Sequence, residues 1–493
     1  MKREFKKYSF VILSFLLVSS LVSCDGASSS DSTSSSSSGN DVEIVFWHTF
    51  GQGIIDKVQQ KCTEFSKLIK ENEGVNVNVQ CTYQGGYTDL LSKINKGYSV
   101  GNTPTISVAY PDHVAEYLNL GDDFVVNLDK YIDDPDLTFG SDSYLDDSIA
   151  GTSDFIPAFF QEGSNYIKEG TYSMPFLKST ELMFYNKNVV ENLLAPKYKE
   201  PSQTVSQFMN TLTWTTFMQM CQDVRNDIDD NNGGTYGTAL QVPAAYDSDS
   251  NLFITQLYQR NIPYLEYQDG KGVLSFDNQQ ARDMVSEFKE SFGNINGTEA
   301  LFWTSGSNGN KYGSDSFKQG QVLFSIGSSG GSGYQDPGVS FKADVCPVPA
   351  YDLDRANYIT QGPTLAIFNN NGLSDAKNEI ATKYAWKLLK YLTSTDVNVD
   401  MCLASQGYVP VRSSSYDSET YLEYLEAAGE DLGPSAAKVV IDSINGRYFN
   451  TAVFKGSAYA REQVGGIVTS VLLGKYSVDQ AFSNAISQIK LHM

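Results

Sequence analysis

The residues of this 493-residue chain that could do chemistry are unevenly supplied: 3 histidines and 6 cysteines stand against 58 aspartates and glutamates. A pair of carboxylates could act on a glycosidic bond, but among so many their presence assigns nothing. The sequence has no GxSxG elbow and no HExxH pair. Three isolated histidines, His48, His113 and His492, leave little for a Ser–His relay or a histidine-rich metal enzyme. Asp227, Asp229 and Asn231 begin like a calcium loop. Asn232, however, stands where the sixth position calls for glycine, and Thr238 where the twelfth calls for a bidentate glutamate. The stretch from Ser328 to Tyr334, with Gly330 and Gly331 inside it, reads either as a backbone-rich binding loop or as a surface turn. It lacks the Lys-Ser/Thr that closes a phosphate loop. Beyond Cys24 the cysteines (Cys62, Cys81, Cys221, Cys346, Cys402) show no CxxC and no paired spacing. Most read as small buried apolar residues, and a Cys62–Cys81 bridge stays open. No metal and no cofactor is expected.

The start of the chain carries its most specific signal. A basic segment, Lys2 to Lys7, precedes a largely apolar run from Tyr8 to Val22 that is too short for a permanent membrane span and has the shape of a secretory signal. Leu21-Val22-Ser23-Cys24 resembles a bacterial lipobox, in which the cysteine becomes diacylated and is the first residue after cleavage. Two acyl chains hold a protein at a membrane persistently where one is marginal. Residues 24–41 continue as a serine-rich segment with Ala27 its only apolar side chain after the cysteine, apart from Val42 beyond it. Such a segment cannot offset the entropy of ordering and reads as a leash. The expectation is a signal peptide over residues 1–23 and an extracytoplasmic protein lipid-anchored at Cys24 to a bacterial cell membrane.

The body is 41% hydrophobic and 12% aromatic in composition, which is that of a globular protein with a large core. Net charge is -22, and four basic and one acidic residue in the first 23 leave -25 on the remainder. A surface so acidic repels phosphate backbones, so no nucleic-acid partner is expected. Val42 to Trp47 reads as a strand, and Ile55, Val58, Cys62, Phe65 and Ile69 form the stripe of a helix closing near Gly74. Val75, Val77, Val79, Cys81 and Tyr83 alternate as a second strand. Residues 87–94 read as a short helix and 105–110 as a third strand. This order predicts a mainly parallel sheet whose ligands sit beyond the carboxyl ends of the strands. Farther on, helices are expected over 208–228, 378–392, 456–473 and 478–490, and two short strands around Pro175.

Several segments together resemble the extracellular solute-binding proteins of bacterial ABC importers, in the branch of maltose and glycerol-phosphate binders. They include Phe46-Trp47-His48, Gly85-Gly86-Tyr87-Thr88-Asp89, Gly101-Asn102-Thr103-Pro104, Tyr172 to Phe176 with Glu181 and Tyr185-Asn186-Lys187, Phe317 to Gln321, Ala385-Trp386, and Gly407 to Arg412. The order spans residues 42–490, and no single motif carries it. The resemblance implies an α/β fold of the periplasmic-binding-protein type II, two lobes with a ligand cleft between them. It places residues 42–165 with 350–405 in the N-terminal lobe and 166–349 with 406–493 in the C-terminal lobe. Crossings are implied near 160–175, 341–352 and 403–412.

The same resemblance implies a ligand site. Trp47 and Tyr87 would supply aromatic faces, and Asp112 and Glu181 would be acceptors for solute hydroxyls. Asp112 could equally cap a helix over 113–119. Tyr246 and Asn251 would contribute from the second lobe, and Tyr459 with Arg461 falls near another family aromatic position. Where many relatives carry a tryptophan, this chain has the loop of Gly330 and Gly331 followed by Tyr334, so stacking there is absent, displaced to Tyr334, or replaced by backbone donors. The implied function is capture of a small solute, a sugar or short oligosaccharide first and a glycerol-phosphate-like compound second. Delivery to ABC permease subunits by a monomer would follow, without catalysis. A surface-anchored hydrolase or an adhesin is the competing class.

Overall fold

The computed structural model describes residues 41–146, 150–293, 300–304, 312–444 and 446–493. The signal segment, Cys24 and all of the serine-rich leash but Asp41 lie outside the described residues.

Two five-stranded sheets organise the chain. The first contains β1 (Asp41–His48), β2 (Asn76–Tyr83), β3 (Ile106–Ala109), β4 (Met174–Pro175) and β10 (Thr364–Ile367), in the order β2-β1-β3-β10-β4. β1 is parallel to β2 and β3, while β10 runs antiparallel to β3 and β4. The second contains β5 (Glu181–Asn186), β6 (Ala244–Tyr246), β7 (Phe302–Trp303), β8 (Phe324–Ser328) and β9 (Ala343–Pro347), in the order β9-β5-β8-β6-β7. There β5 alone opposes its neighbours. Each sheet is thus the core of one lobe, with four strands in one direction and one in the other.

The expected helices form where their apolar stripes run. α1 (Gln52–Glu73) buries Val58, Cys62, Phe65 and Ile69 and ends at Gly74, whose φ of 71° is open to glycine at little cost. α2 spans Tyr87–Tyr98, α3 Pro111–Tyr117, α4 Trp214–Asn231 and α5 Asp249–Gln259. α6 (Asp375–Leu392) presents Ala385, Leu388, Leu389 and Leu392 to the core, and α7 (Thr395–Ser405) packs beside α1. α8 spans Ser457–Leu472 and α9 Val478–Lys490. The helix expected over 208–228 is broken at Thr213, whose hydroxyl accepts from the Thr216 N–H and starts α4. Asp227 accepts from the N–H groups of Thr235 and Tyr236 and closes the turn itself.

The lobe boundary differs from expectation. The two short strands around Pro175 belong to different sheets, so the first lobe extends past residue 165 to β4. The chain crosses at 176–180, at 359–363 and at 407–412. Lys178 and Val409 exchange backbone hydrogen bonds, and so do Ser179 and Gln361. The first two crossings therefore fall later than the sequence placed them, because this pairing joins segments far apart in sequence. Arg412, wholly buried, anchors the third. Its guanidinium meets Asp146 at 3.0 Å and Asp154 at 3.5 Å, and lies 4.5 Å from the ring centre of Phe155.

Candidate functional site

Thr49 and Tyr110 directly follow β1 and β3, Tyr87 opens α2 four residues beyond β2, and all three face the space between the lobes. The rings of Tyr87 and Tyr110 lie 4.1 Å apart, Tyr110 in the wall of one compartment and Tyr87 in the wall of a second.

The first compartment is a cavity of ≈ 210 Å³. Tyr110, Asp112, Glu162 and Asn165 come from the first lobe, and Ser248, Ser250, Asn251, Asn450 and Arg461 from the second. Lys178 and Ile359–Gly362 form its floor on the crossing strands. Four charges face it as two pairs. Arg461 Nε donates to Asp112 Oδ2 at 3.2 Å across the lobes. Lys178, with no exposed surface, is bonded to Glu162 and donates to the Gly362 carbonyl at 3.3 Å. Asp112 is the second residue of α3 rather than its cap, and its other oxygen accepts from the His113 N–H.

Behind this cavity five of the residues singled out from the sequence form one hydrogen-bonded chain. Tyr246 donates to Glu181 Oε2, and Asn251 Nδ2 donates to Glu181 Oε1 at 3.1 Å. Asn251 Oδ1 accepts from Arg461 Nη1 at 2.8 Å, and Arg461 reaches Asp112. The side chains of two lobes are thereby in direct register. Burial pushes the Glu181 carboxyl up to about 8, against the opposing hydrogen bonds of Tyr246 and Asn251. Burial also lowers Arg461, but the charges of Asp112, Tyr264 and Tyr110 outweigh it and leave the guanidinium raised. Burial lifts the Tyr110 hydroxyl to about 12, so it stays a neutral donor.

The second compartment, ≈ 360 Å³, is more aromatic. Phe50, Tyr87, Tyr334 and Tyr408 line it together with Gly51, Gly330 and Gln406. Close approach favours glycine at Gly330, where a Cβ would lie 2.7 Å from the Tyr408 ring, while a Cβ on Gly51 would meet only the movable Tyr334 hydroxyl, at 2.9 Å. Tyr334 is itself 64% exposed, a face free to stack on a solute.

Not every residue singled out from the sequence reaches these walls. Asp112, Asn251 and Arg461 line the first compartment, and Tyr87, Gly330 and Tyr334 the second. Glu181 and Tyr246 are buried behind Asn251, whose side-chain amide donates to Glu181. Trp47 lies in the core of the first lobe, its carbonyl accepting from Ser107, because the last three residues of β1 are covered on both faces of the sheet and the cleft begins at Thr49. Tyr459 stacks on His492, with ring centres 3.7 Å apart, and lines neither compartment. Gly331 sits beside Tyr334 without lining the wall. The sequence reading missed Glu162, Lys178, Gln361 and Asn450. Tyr110 was legible as the residue ending a strand, whereas Lys178 and Gln361 lie on crossing segments, and Glu162 and Asn450 just beyond very short elements, without a local pattern. Among the described residues no group of three His, Cys, Asp or Glu could hold a metal, and no helix is long and apolar enough to cross a membrane.

Two α/β lobes, three crossing strands and a polar cleft between the lobes define the periplasmic-binding-protein class of fold. The sequence profile of the family described as bacterial extracellular solute-binding protein matches residues 63–428, and the chain belongs to that family. Membership places the protein outside the cytoplasm. No curated protein sequence matches the chain significantly. Among solved structures it is similar to the GacH receptor of Streptomyces glaucescens GLA.O, with a TM-score of 0.63 at 18% identity over 92% of this chain and 98% of that one. The cyclic alpha-maltosyl-1,6-maltose binding protein of Arthrobacter globiformis gives 0.62 at 16%, over 91% and 98%. UgpB of Mycobacterium tuberculosis, solved with glycerophosphocholine, gives 0.62 at 16%, also over 91% and 98%.

Proposed function

We propose that this protein captures a neutral, hydroxyl-rich solute, a sugar or short oligosaccharide, between its lobes and presents it to the permease subunits of an ABC importer. Lobe closure on the solute is the signal the permease reads, and diacylated Cys24 keeps the protein at the membrane. The observation that carries the reading is the charge balance of the first compartment. Both cations in its wall, Arg461 and Lys178, are already paired with Asp112 and Glu162. An anion entering there would have to displace a carboxylate, whereas a hydroxyl can donate to the free lone pairs of Asp112 while Arg461 stays in place. Amides and hydroxyls of Asn165, Ser248, Asn251 and Gln361 supply further hydrogen bonds, and Tyr110 supplies a ring face. Structural neighbours support the class: the GacH receptor was solved with acarbose.

A second reading, a glycerol-phosphate-like diester, rests on the glycerophosphocholine found in UgpB and would require Arg461 or Lys178 to exchange its carboxylate for the phosphate. A thermal-shift screen separates the two. Sugars at a hundred times their dissociation constant should stabilise the protein by about 2.7 kcal/mol. A screen in which only phosphodiesters or peptides raise the melting temperature rejects the sugar reading. For the bound sugar, Asp112→Asn should lower affinity roughly ten- to a hundredfold, the loss of a charge-assisted bond. Cys24→Ser should release the protein from the membrane fraction, and retention there overturns the anchor.

A further inference from the structure

Of the five cysteines in the described chain, Cys221, Cys346 and Cys402 are buried separately on α4, β9 and α7. Cys62 and Cys81 differ. Cys62 is buried on the inner stripe of α1, and Cys81 is half-buried on β2, the edge strand of the first sheet. Their sulfurs face each other at 3.0 Å, about 1 Å farther than a disulfide bond length. The gap to be closed is of the size that a small turn of the two side chains covers. The family places the chain outside the cytoplasm, in a compartment where thiols are oxidised rather than kept reduced.

We propose that Cys62 and Cys81 form a disulfide in the exported protein, fastening α1 to the edge strand β2. The oxidant is a disulfide carrier of the extracytoplasmic space. The Cys81 thiolate, the more accessible of the two, attacks the carrier's S–S bond, forms a mixed disulfide and releases one carrier thiolate. The Cys62 thiolate then attacks the Cys81 sulfur, closes the bond and releases the second. The cysteine pair loses two electrons and two protons, and the carrier gains both as a dithiol. The hydrogen bond with Cys81, and then burial, hold the free Cys62 thiol well above its ordinary value, which favours Cys81 as the first attacker. The bond has a consequence for the cleft. α1 begins directly after Gly51, in the wall of the second compartment, and β2 leads to Tyr87. Tying the two elements together limits how far that wall can loosen when solute leaves.

The test uses the exported protein, purified in air, denatured with N-ethylmaleimide and digested. The peptides containing Cys62 and Cys81 should appear joined, unlabelled and lighter by two hydrogens, and should separate and label only after reduction. The folded protein should melt several degrees lower in reductant, and a Cys62→Ala, Cys81→Ala double variant should lose that dependence. Labelling of both cysteines without reduction in the exported protein overturns the proposal. Solute binding is not read in this experiment, so its failure leaves the sugar reading standing.

Discussion

Glu181 holds a carboxyl group out of water between two neutral donors, Tyr246 and Asn251. Its value in the fold, about 8 against an ordinary 4.5, has a defined consequence for stability. Below pH 4.5 the group is protonated in both states. As pH rises toward 8 the unfolded chain releases the proton and the folded chain keeps it, so stability falls across that window and levels off above it. Asp247, pushed to about 6 by burial, acts in the same direction. Urea unfolding should show stability declining from pH 5 to 8, and Glu181→Gln should remove an appreciable part of the slope; an unchanged slope in the variant would mean the carboxyl is ionised in the fold. Because Glu181 reaches the cavity only through Asn251, the same variant should alter solute affinity less than Asp112→Asn does. Lys178 and Glu162 form the opposite case, a buried pair in which each charge compensates the other. Lys178→Met leaves Glu162 unpaired and should cost about 3–5 kcal/mol, whereas changing both residues to apolar ones of similar size should recover most of it. Chemical denaturation of the single and double variants measures the difference.

The elements that make the hinge are three short extended segments rather than long strands, and their geometry depends on two glycines. Gly362 has a φ of 92° and a Cβ there would fall 2.1 Å from the Leu177 carbonyl oxygen; Gly407 has a φ of 158° and a Cβ there would fall 1.8 Å from that of Ser329. Gly362→Ala forces the 359–363 crossing away from the 176–180 crossing and should cost at least ~1–3 kcal/mol, with weakened solute binding alongside the lost stability. Unfolding midpoints together with calorimetric titration test this, and an Ala variant with native stability would mean the crossing can shift freely. The hinge also marks the limit of what the sequence made legible. α1, α6 and α9 could be read because an apolar stripe repeats every three or four residues within one segment, and β1 to β3 because each is a local run. The pairing of Lys178 with Val409, and of Ser179 with Gln361, joins positions roughly 180 to 230 residues apart and leaves no periodic trace. Trp47 illustrates the same limit at the site. Its position near a strand's end is legible, but which neighbours close over it is decided by the sheet.

At the scale of the whole molecule, the two lobes touch through α3 and the start of α8. Asp112 and Glu116 lie one helical turn apart on α3, and both reach across, Asp112 to Arg461 and Glu116 to the backbone N–H of Gly456. The charges facing Glu116 are Asp112 on its own helix and Lys455 from the facing segment. Burial raises the Glu116 carboxyl to about 7, against the Gly456 hydrogen bond, which lowers it. If solute capture proceeds by lobe closure, opening returns this group to water and to an ordinary value near 4.5. Closure then takes up a proton between about pH 4.5 and 7, so it is favoured at the acidic end and weakened as pH rises through 7. Solute affinity should therefore decline from pH 5 to pH 7.5, and Glu116→Gln, which keeps the acceptor and cannot ionise, should flatten that decline. Scattering supplies the independent readout: the radius of gyration should shrink on saturation with the best solute of the screen, and by less at pH 8 than at pH 5 when the solute is held at one subsaturating concentration. An unchanged radius at every pH beside calorimetrically proven binding would show that the cleft receives its solute without a moving clamp. A pH-dependent affinity that survives in Glu116→Gln would instead move the titrating group elsewhere, with Glu181 the first to examine.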